Sequence, residues 1–243
     1  MFSELARAVY IAKKDIREYY MKPGSISWGL MFPFVFSLAF MLKRGGMTIW
    51  LAPGMISLAL FFGSTSMSAM SIVFERRVGS FERLLLFPVS YNCIVLGKSL
   101  SSFTLGVLSS IPVLALASFL VPTSPANIPL LVLCIVLATF MSSTLGVLIS
   151  FLVKDPSQTM TVFNLVRFPM MFLSNIVIPV SVLPRSLRII SFFSPLTYVA
   201  EAIRYAYNNT YDLVPPHISI TAVFALGIIF MYLASLVIEK NIP

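Results

Sequence analysis

Long apolar runs separated by short polar breaks set the rhythm of this chain. Six runs, at 25–42, 49–73, 94–121, 128–153, 158–180 and 217–238, each come near or exceed the roughly 20 residues that a helix needs to cross about 30 Å of hydrocarbon. Pro33, Pro53-Gly54 and Pro112 fall within them, and neighbouring helices can re-satisfy the backbone groups that such breaks release. Ahead of the runs, Phe2, Leu5, Val9, Ala12, Ile16 and Tyr20 recur at steps of three and four, with Arg7, Lys13, Lys14, Asp15, Arg17 and Glu18 mainly on the other side. Residues 1–22 therefore predict an amphipathic helix lying in the membrane interface, ended by Pro23-Gly24. A helix of this kind packed on a soluble domain is disfavoured, because little polar chain remains to form one. The expected architecture is all-α: a single polytopic transmembrane domain over 1–243, with spans one to five in 25–180 and span six at 217–238.

Two inter-run segments are long enough to carry structure. In 74–93 the second span is released at Gly79, Ser80 caps a short helix from Phe81 to Phe87, Pro88 stops it, and Ser90 caps the third span. Leu84, Leu85 and Phe87 can dip into the interface or a partner groove, leaving Glu82 and Arg83 in water. A solvated basic loop that only sets topology is the plain alternative, but topology needs neither the acids nor the alternation with leucines. In 181–216, Pro184 opens one short helix, and Ser194-Pro195 supplies an N-cap and first-turn proline for another. Both are too short to span and too apolar for free solution, which predicts a re-entrant helical hairpin against the bundle.

Composition agrees. The 243 residues are 58% hydrophobic and 11% charged, with mean hydropathy +0.93, whereas soluble domains carry about 25% charged residues. The net charge of +8 reads as topology, not nucleic-acid binding. Eleven of the 17 Lys and Arg residues (Arg7, Lys13, Lys14, Arg17, Lys22, Arg76, Arg77, Arg83, Lys98, Lys154 and Lys240) fall on the side holding both termini. Five (Lys43, Arg44, Arg185, Arg188 and Arg204) fall opposite, and Arg167 lies inside the fifth run. The excess puts both termini and the 74–93 segment in the cytoplasm of a cell (plasma) membrane protein. Cys93 and Cys134 have neither metal nor disulfide spacing, and the charged first 20 residues do not resemble a cleavable signal peptide.

The pattern Glu75-Arg76-Arg77-x-Gly79-Ser80-x-Glu82-Arg83-Leu84-Leu85-x-x-Pro88-Val89-Ser90, followed by Gly97-Lys98, resembles the cytoplasmic signature of type-2 ATP-binding-cassette (ABC) exporter permeases. Phe172-Leu173-Ser174, Pro179, Leu183-Pro184 and Ser194-Pro195-Leu196-Thr197-Tyr198, ending at Glu201-Ala202-x-Arg204, resembles that family's segment between its last two spans. Ser80 stands where threonine is more usual, and Asn175 where glycine is common. The resemblance implies a homodimer of six-span subunits, each with a coupling helix near 75–88 docked in an ABC ATPase subunit. ATP and Mg would be bound by that partner, this chain holding no cofactor or catalytic site of its own, and ATP binding would open an export path between the permease halves. Glu75, Arg76, Glu82 and Arg83 would supply polar contacts to the ATPase, Leu84, Leu85 and Phe87 packing, and Gly79 and Pro88 the bounds of the element.

Other chemistry is thin. Gly97-Lys98-Ser99 lacks the glycine five residues earlier that a phosphate loop requires, Asn92 standing there. The lone His217 has no second ligand or base partner nearby. Arg167, near Asn164, lies about 13 Å into its run, where it can snorkel to the inner interface or offer a counter-charge to an anionic substrate. Glu201 and Arg204, three apart, either stabilise their helix or take part in gating. Ser64, Thr65, Ser66, Ser68 and Ser71 read as close helix packing, and Asn208-Asn209-Thr210 matches a glycosylation sequon. The alternative function is a stand-alone secondary transporter or channel driven by an ion gradient; its usual midplane charges and inverted repeats are not apparent. The substrate is not written in the motifs, although 13 methionines and 21 phenylalanines favour an amphiphilic or drug-like molecule.

Overall fold

The computed structural model describes residues 2–42, 47–121, 125–153 and 155–241; Lys43, Arg44 and Lys154 of the topology count lie outside them. All regular structure there is helical: α1 Phe2–Tyr19, α2 Pro23–Met41, α3 Met47–Arg77, α4 Ser80–Leu85, α5 Tyr91–Leu120, α6 Ile128–Leu152, α7 Thr159–Leu173, α8 Arg185–Phe193, α9 Pro195–Asn208 and α10 Pro216–Asn241. Five of these (α2, α3, α5, α6 and α10) are long and apolar enough to cross a membrane, and they coincide with the expected runs to within a few residues. The run at 158–180 differs. Its helix α7 has 15 residues, about 22 Å of rise, and is followed by Asn175 at φ 61° and a single 3-10 turn, Val180–Val182. In α2, a π turn over Ser27–Met31 immediately precedes Pro33, widening the helix where the proline ring would crowd the preceding turn.

Helix α3 is the axis of the bundle. Every residue of its most apolar 18-residue window is buried, against 17% for α10, and it packs against α2, α5, α6 and α9. Small residues permit this close approach: a Cβ on Gly63 of α3 would come within 2.7 Å of the Ser109 Cβ of α5. Ser64, Thr65, Ser66, Ser68 and Ser71 are all buried along this seam. Ser64, Thr65 and Ser68 donate to the carbonyls of Leu60, Phe61 and Ser64 one turn back, and Ser68 also reaches Ser102 at 2.7 Å. The hydroxyls serve packing, as their spacing predicts.

Helix α1 departs from the sequence reading. Its buried face is Ala8, Ile11, Ala12, Asp15 and Tyr19, while Leu5 and Val9 stay exposed, so it is seated on the end of a span through a face that includes one of its acids. Gly97 of α5 makes room for it, since a Cβ there would lie 2.9 Å from the Ala8 carbonyl oxygen. The hairpin helices α8 and α9 differ from each other as well. In α8 only Ser191 is buried, whereas α9 is buried over most of its length, and its last carbonyls, Ala206 and Tyr207, accept from the amides of Asn127 and Ala126.

Candidate functional site

The charged turn between α3 and α5 is built around a buried ion cluster. Lys98 Nζ, fully enclosed, lies 3.0 Å from Asp15 Oδ2 and 2.5 Å from Glu75 Oε2, and both carboxylates are fully enclosed too. Lys14, partly exposed, donates to the other Glu75 oxygen and sits 3.9 Å from Asp15 and from Glu18. Ser101 Oγ adds a 3.3 Å bond to Asp15. The cluster ties α1, α3 and α5 together at one point. Two carboxylates face two ammonium groups, which is how buried charge becomes tolerable. Burial pushes the Asp15 carboxyl up to about 6, Glu75 pushing the same way while Lys98 and Lys14 oppose.

Glu75 was expected among the polar contacts of a partner. Its carboxylate is instead consumed inside the chain, and its site is a joint between helices. Arg76 also turns inward, donating to the carbonyls of Ser150 (3.3 Å) and Val153 (2.6 Å) at the end of α6. Gly79, at φ 67°, makes the left-handed turn that reverses the chain. Ser80 does not cap the helix; Gly79 holds that position without a side-chain bond, and the Ser80 hydroxyl donates back to the Glu75 carbonyl at 3.4 Å. Ser90 does cap α5, accepting from the Cys93 amide at 3.3 Å. Phe81 is the buried anchor of α4, its ring 5.4 Å from Phe151 of α6, and Leu84 and Leu85 pack against the same cluster. Glu82, Arg83, Leu86, Phe87 and Pro88 face outward. Arg7 of α1 donates to the Pro88 carbonyl at 2.5 Å, closing the ring of contacts around the turn. The outward set is thus narrower than the motif: one acid, one base and an apolar tip on a short helix clamped from three sides. Sequence reading passed over Lys98 and Asp15; the available signal was a lysine a few residues inside an apolar run, which needs a counter-charge, with few acids to supply one.

At the far end of α3 lies a second polar knot. Asn175 donates through its side-chain amide to Glu201 and accepts from the Val180 amide at 3.2 Å. Glu201 also accepts from the Asp212 and Leu213 amides at 2.9 and 3.2 Å. Arg204 donates to the Asn175 carbonyl at 2.6 Å, lies 3.8 Å from Glu201, and stacks over Trp50 at 4.2 Å. Asparagine tolerates the left-handed backbone that glycine would otherwise fill, so the departure at 175 keeps the bend and adds two hydrogen bonds. Ser194 does not cap α9; its hydroxyl pairs with Ser174 at 2.5 Å. Asn208 of the sequon commits its amide to the Ile49 carbonyl at 2.8 Å. Glu201 and Arg204 thereby tie α9 to the bend at Asn175 and to the 212–213 turn, and Arg204 reaches α3 through Trp50.

Arg167 is different. It is 1% exposed, so its side chain does not reach the protein surface. None of its three guanidinium nitrogens has a hydrogen-bond partner among the described residues, and the carboxamide oxygen of Asn164 is unpaired beside it in sequence. Its Cζ lies over the rings of Phe62 (5.1 Å) and Phe163 (4.8 Å). Two such contacts supply about 1–4 kcal/mol in total, while removing an ion from water costs several kcal/mol even after relaxation. The rings offset only part of that penalty.

An all-helical bundle with five membrane-length apolar helices, its axial helix ending in a clamped charged turn, defines a multi-pass membrane protein. The profile of the ABC-2 type transporter family matches residues 8–208, and the chain belongs to that family. It is similar to the "Putative transport permease ycf38" of Porphyra purpurea, with 29% identity over 164 residues, 66% of this chain and 56% of that one. The protein of the same name from Cyanophora paradoxa is 28% identical over 165 residues, 65% and 55% of the two chains. "ABC transporter G family member 20" of Dictyostelium discoideum is 32% identical over 158 residues, 64% of this chain and 21% of its own. The chain spans about half the length of the two permeases it matches.

Proposed function

We propose that this chain is the permease subunit of an ATP-driven exporter. It would act as a homodimer of six-span subunits with both termini in the cytoplasm, and the exit path would open at the dimer interface. In this reading α7 and the bend at Asn175 together make the fifth of six crossings, α8 and α9 form a re-entrant hairpin on the outer side, and ATP and Mg are bound by a separate ABC ATPase subunit. The observation that carries it is the construction of α4. A helix of six residues has little stability of its own, yet Phe81, the Asp15–Lys98–Glu75 cluster, Arg76 and the Arg7–Pro88 bond fix it to α1, α3, α5 and α6. Its outer face of Glu82, Arg83, Leu86 and Phe87 is free to meet a partner. A rigid element that moves with the bundle is what a mechanical partner needs, and Glu75 serves as a positioning residue rather than a contact.

The test is co-expression with the ABC ATPase encoded nearest to this chain, comparing wild type with Glu82→Ala and Phe87→Ala. Both positions are exposed, so insertion and thermal stability should be unchanged while co-purification and ATPase-dependent export fall. Full export by the double variant would refute the docking role, and ion-gradient-driven transport without any ATPase would favour a secondary transporter.

A further inference from the structure

We propose that Arg167 anchors a binding site for an amphiphile with a single oxyanion headgroup, a carboxylate or a phosphate monoester. The inference rests on reading the chain as a transporter permease and names the class of molecule it handles. The rings of Phe62 and Phe163 lie against the guanidinium carbon at 5.1 and 4.8 Å, but aromatic carbons accept no conventional hydrogen bond. The N–H donors are left unpaired in the interior, and a guanidinium presents them as a planar fork that matches two oxygens of one anion. No acid of the described chain is placed to take that role: Glu201 is held by Asn175 and backbone amides, and Asp15 and Glu75 are held by lysines.

Continuous aromatic surface leads away from this anchor. Phe62 lies 4.9 Å from Phe32, and Phe32 lies 6.1 Å from Phe168. Phe32 is also one wall of an apolar groove of about 380 Å3 on α2, lined with Met31, Val35, Phe36 and Ala39. A headgroup at Arg167 therefore places an attached hydrocarbon chain against Phe32 and into the groove. In this conformation the guanidinium is covered, so the anion gains access through a parting of α7 from α3 that the isolated chain samples at equilibrium.

The experiment is equilibrium binding of tritium-labelled oleate to the purified full chain in dodecyl maltoside, with hexadecyl phosphate, hexadecylamine and hexadecanol as competitors. Hexadecyl phosphate should displace oleate, and the amine and alcohol should not. Arg167→Gln should weaken binding by about tenfold or more, and Arg167→Lys should fall between, because it keeps the charge but loses the fork. Val35→Trp, at an exposed position of the groove, should weaken oleate binding while leaving the preference for anions. Equal displacement by hexadecanol, or undiminished binding in Arg167→Gln, overturns the site; the competitor series on wild type decides even if that variant misfolds. In nanodiscs, displacement of oleate by phosphatidic acid, the bilayer lipid with a phosphate monoester headgroup, assigns the anion to a bilayer lipid, and failure to displace assigns it to a diffusing amphiphile; either supports the site. Binding is read without the ATPase, so anion-selective binding with no ATP-driven transport refutes the permease function alone. Transport that proceeds without anion selectivity refutes this site alone.

Discussion

Replacing Lys98 with methionine tests whether the buried ion cluster holds α1 to the bundle. The change keeps the length and apolar stem of the side chain and deletes a fully buried ammonium, which lies 3.0 Å from Asp15 and 2.5 Å from Glu75. Two enclosed carboxylates then share Lys14, which is partly exposed and 3.9 Å from Asp15. Breaking a buried pair by removing one partner costs about 3–5 kcal/mol, a large share of a total stability of about 5–15 kcal/mol. With Lys14 offsetting part, a loss of about 3 kcal/mol corresponds to a fall of roughly 6–12 °C in the melting temperature for a chain of this size. Intrinsic fluorescence melting in detergent reads the fall, and hydrogen exchange should place it in α1, whose amides lose protection first. Lys98 opposes the burial that raises the Asp15 pKa, so removing it raises that pKa further, and the deficit should be largest at pH 8 and shrink towards pH 5 as Asp15 protonates. The triple variant Asp15→Asn, Glu75→Gln, Lys98→Met, which leaves no buried charge in the cluster, should recover most of the loss. A Lys98→Met protein melting within about 2 °C of wild type at pH 7.5 would show that the cluster contributes little.

Three further outcomes follow from the same geometry. Asp15 has its pKa raised by burial from 3.8 to about 6, so its contribution to stability is fully present below the unfolded value and is lost as pH rises through the folded one; Asp15→Asn, titrated by thermal melting, should gain on wild type by on the order of 3 kcal/mol between about pH 4 and pH 7, and a variant that loses ground over that window would show that pairing with Lys98 outweighs burial. Gly97→Leu should force α1 off α5, since even a Cβ would sit 2.8 Å from Ile11 Cβ; overpacking costs about 1–3 kcal/mol, and unaltered protection of the α1 amides would contradict the close contact. Asn175→Gly keeps the left-handed backbone but deletes the bonds to Val180 and Glu201, about 1–3 kcal/mol; Asn175→Ala adds backbone strain and should be measurably less stable than the glycine variant.

How much of this was legible in the sequence depends on the range of the forces involved. Five membrane-length helices, the break at Gly79 and the cap at Ser90 follow from local composition and turn chemistry, and each lies where the pattern puts it. The face that α1 buries was not legible. Amphipathic periodicity assigns Asp15 to water, and its burial becomes tolerable chiefly through Lys98, 83 residues away. Glu75 was misread for the same reason, as an acid in a charged loop looks exposed until its counter-ions are located in space. The cap at Ser80 failed because the turn before it is left-handed, which moves the hydroxyl back towards the end of α3. The run at 158–180 reads as one apolar segment, yet the bend at Asn175 depends on hydrogen bonds to Glu201 and Val180, and those partners are fixed only when α9 packs.

The hydroxyl-rich α3 also bears on how the protein is made. α3 leaves the ribosome before α5 and α6, the helices that later surround it, have been synthesised. During that interval its serines and threonine face whatever the insertion machinery and lipid offer. Ser64, Thr65 and Ser68 already donate to carbonyls one turn earlier in their own helix, so these groups can enter hydrocarbon without waiting for a neighbour. The later helices are then required for shape rather than for chemical rescue, and a seam that looks polar in composition can be inserted early and closed late.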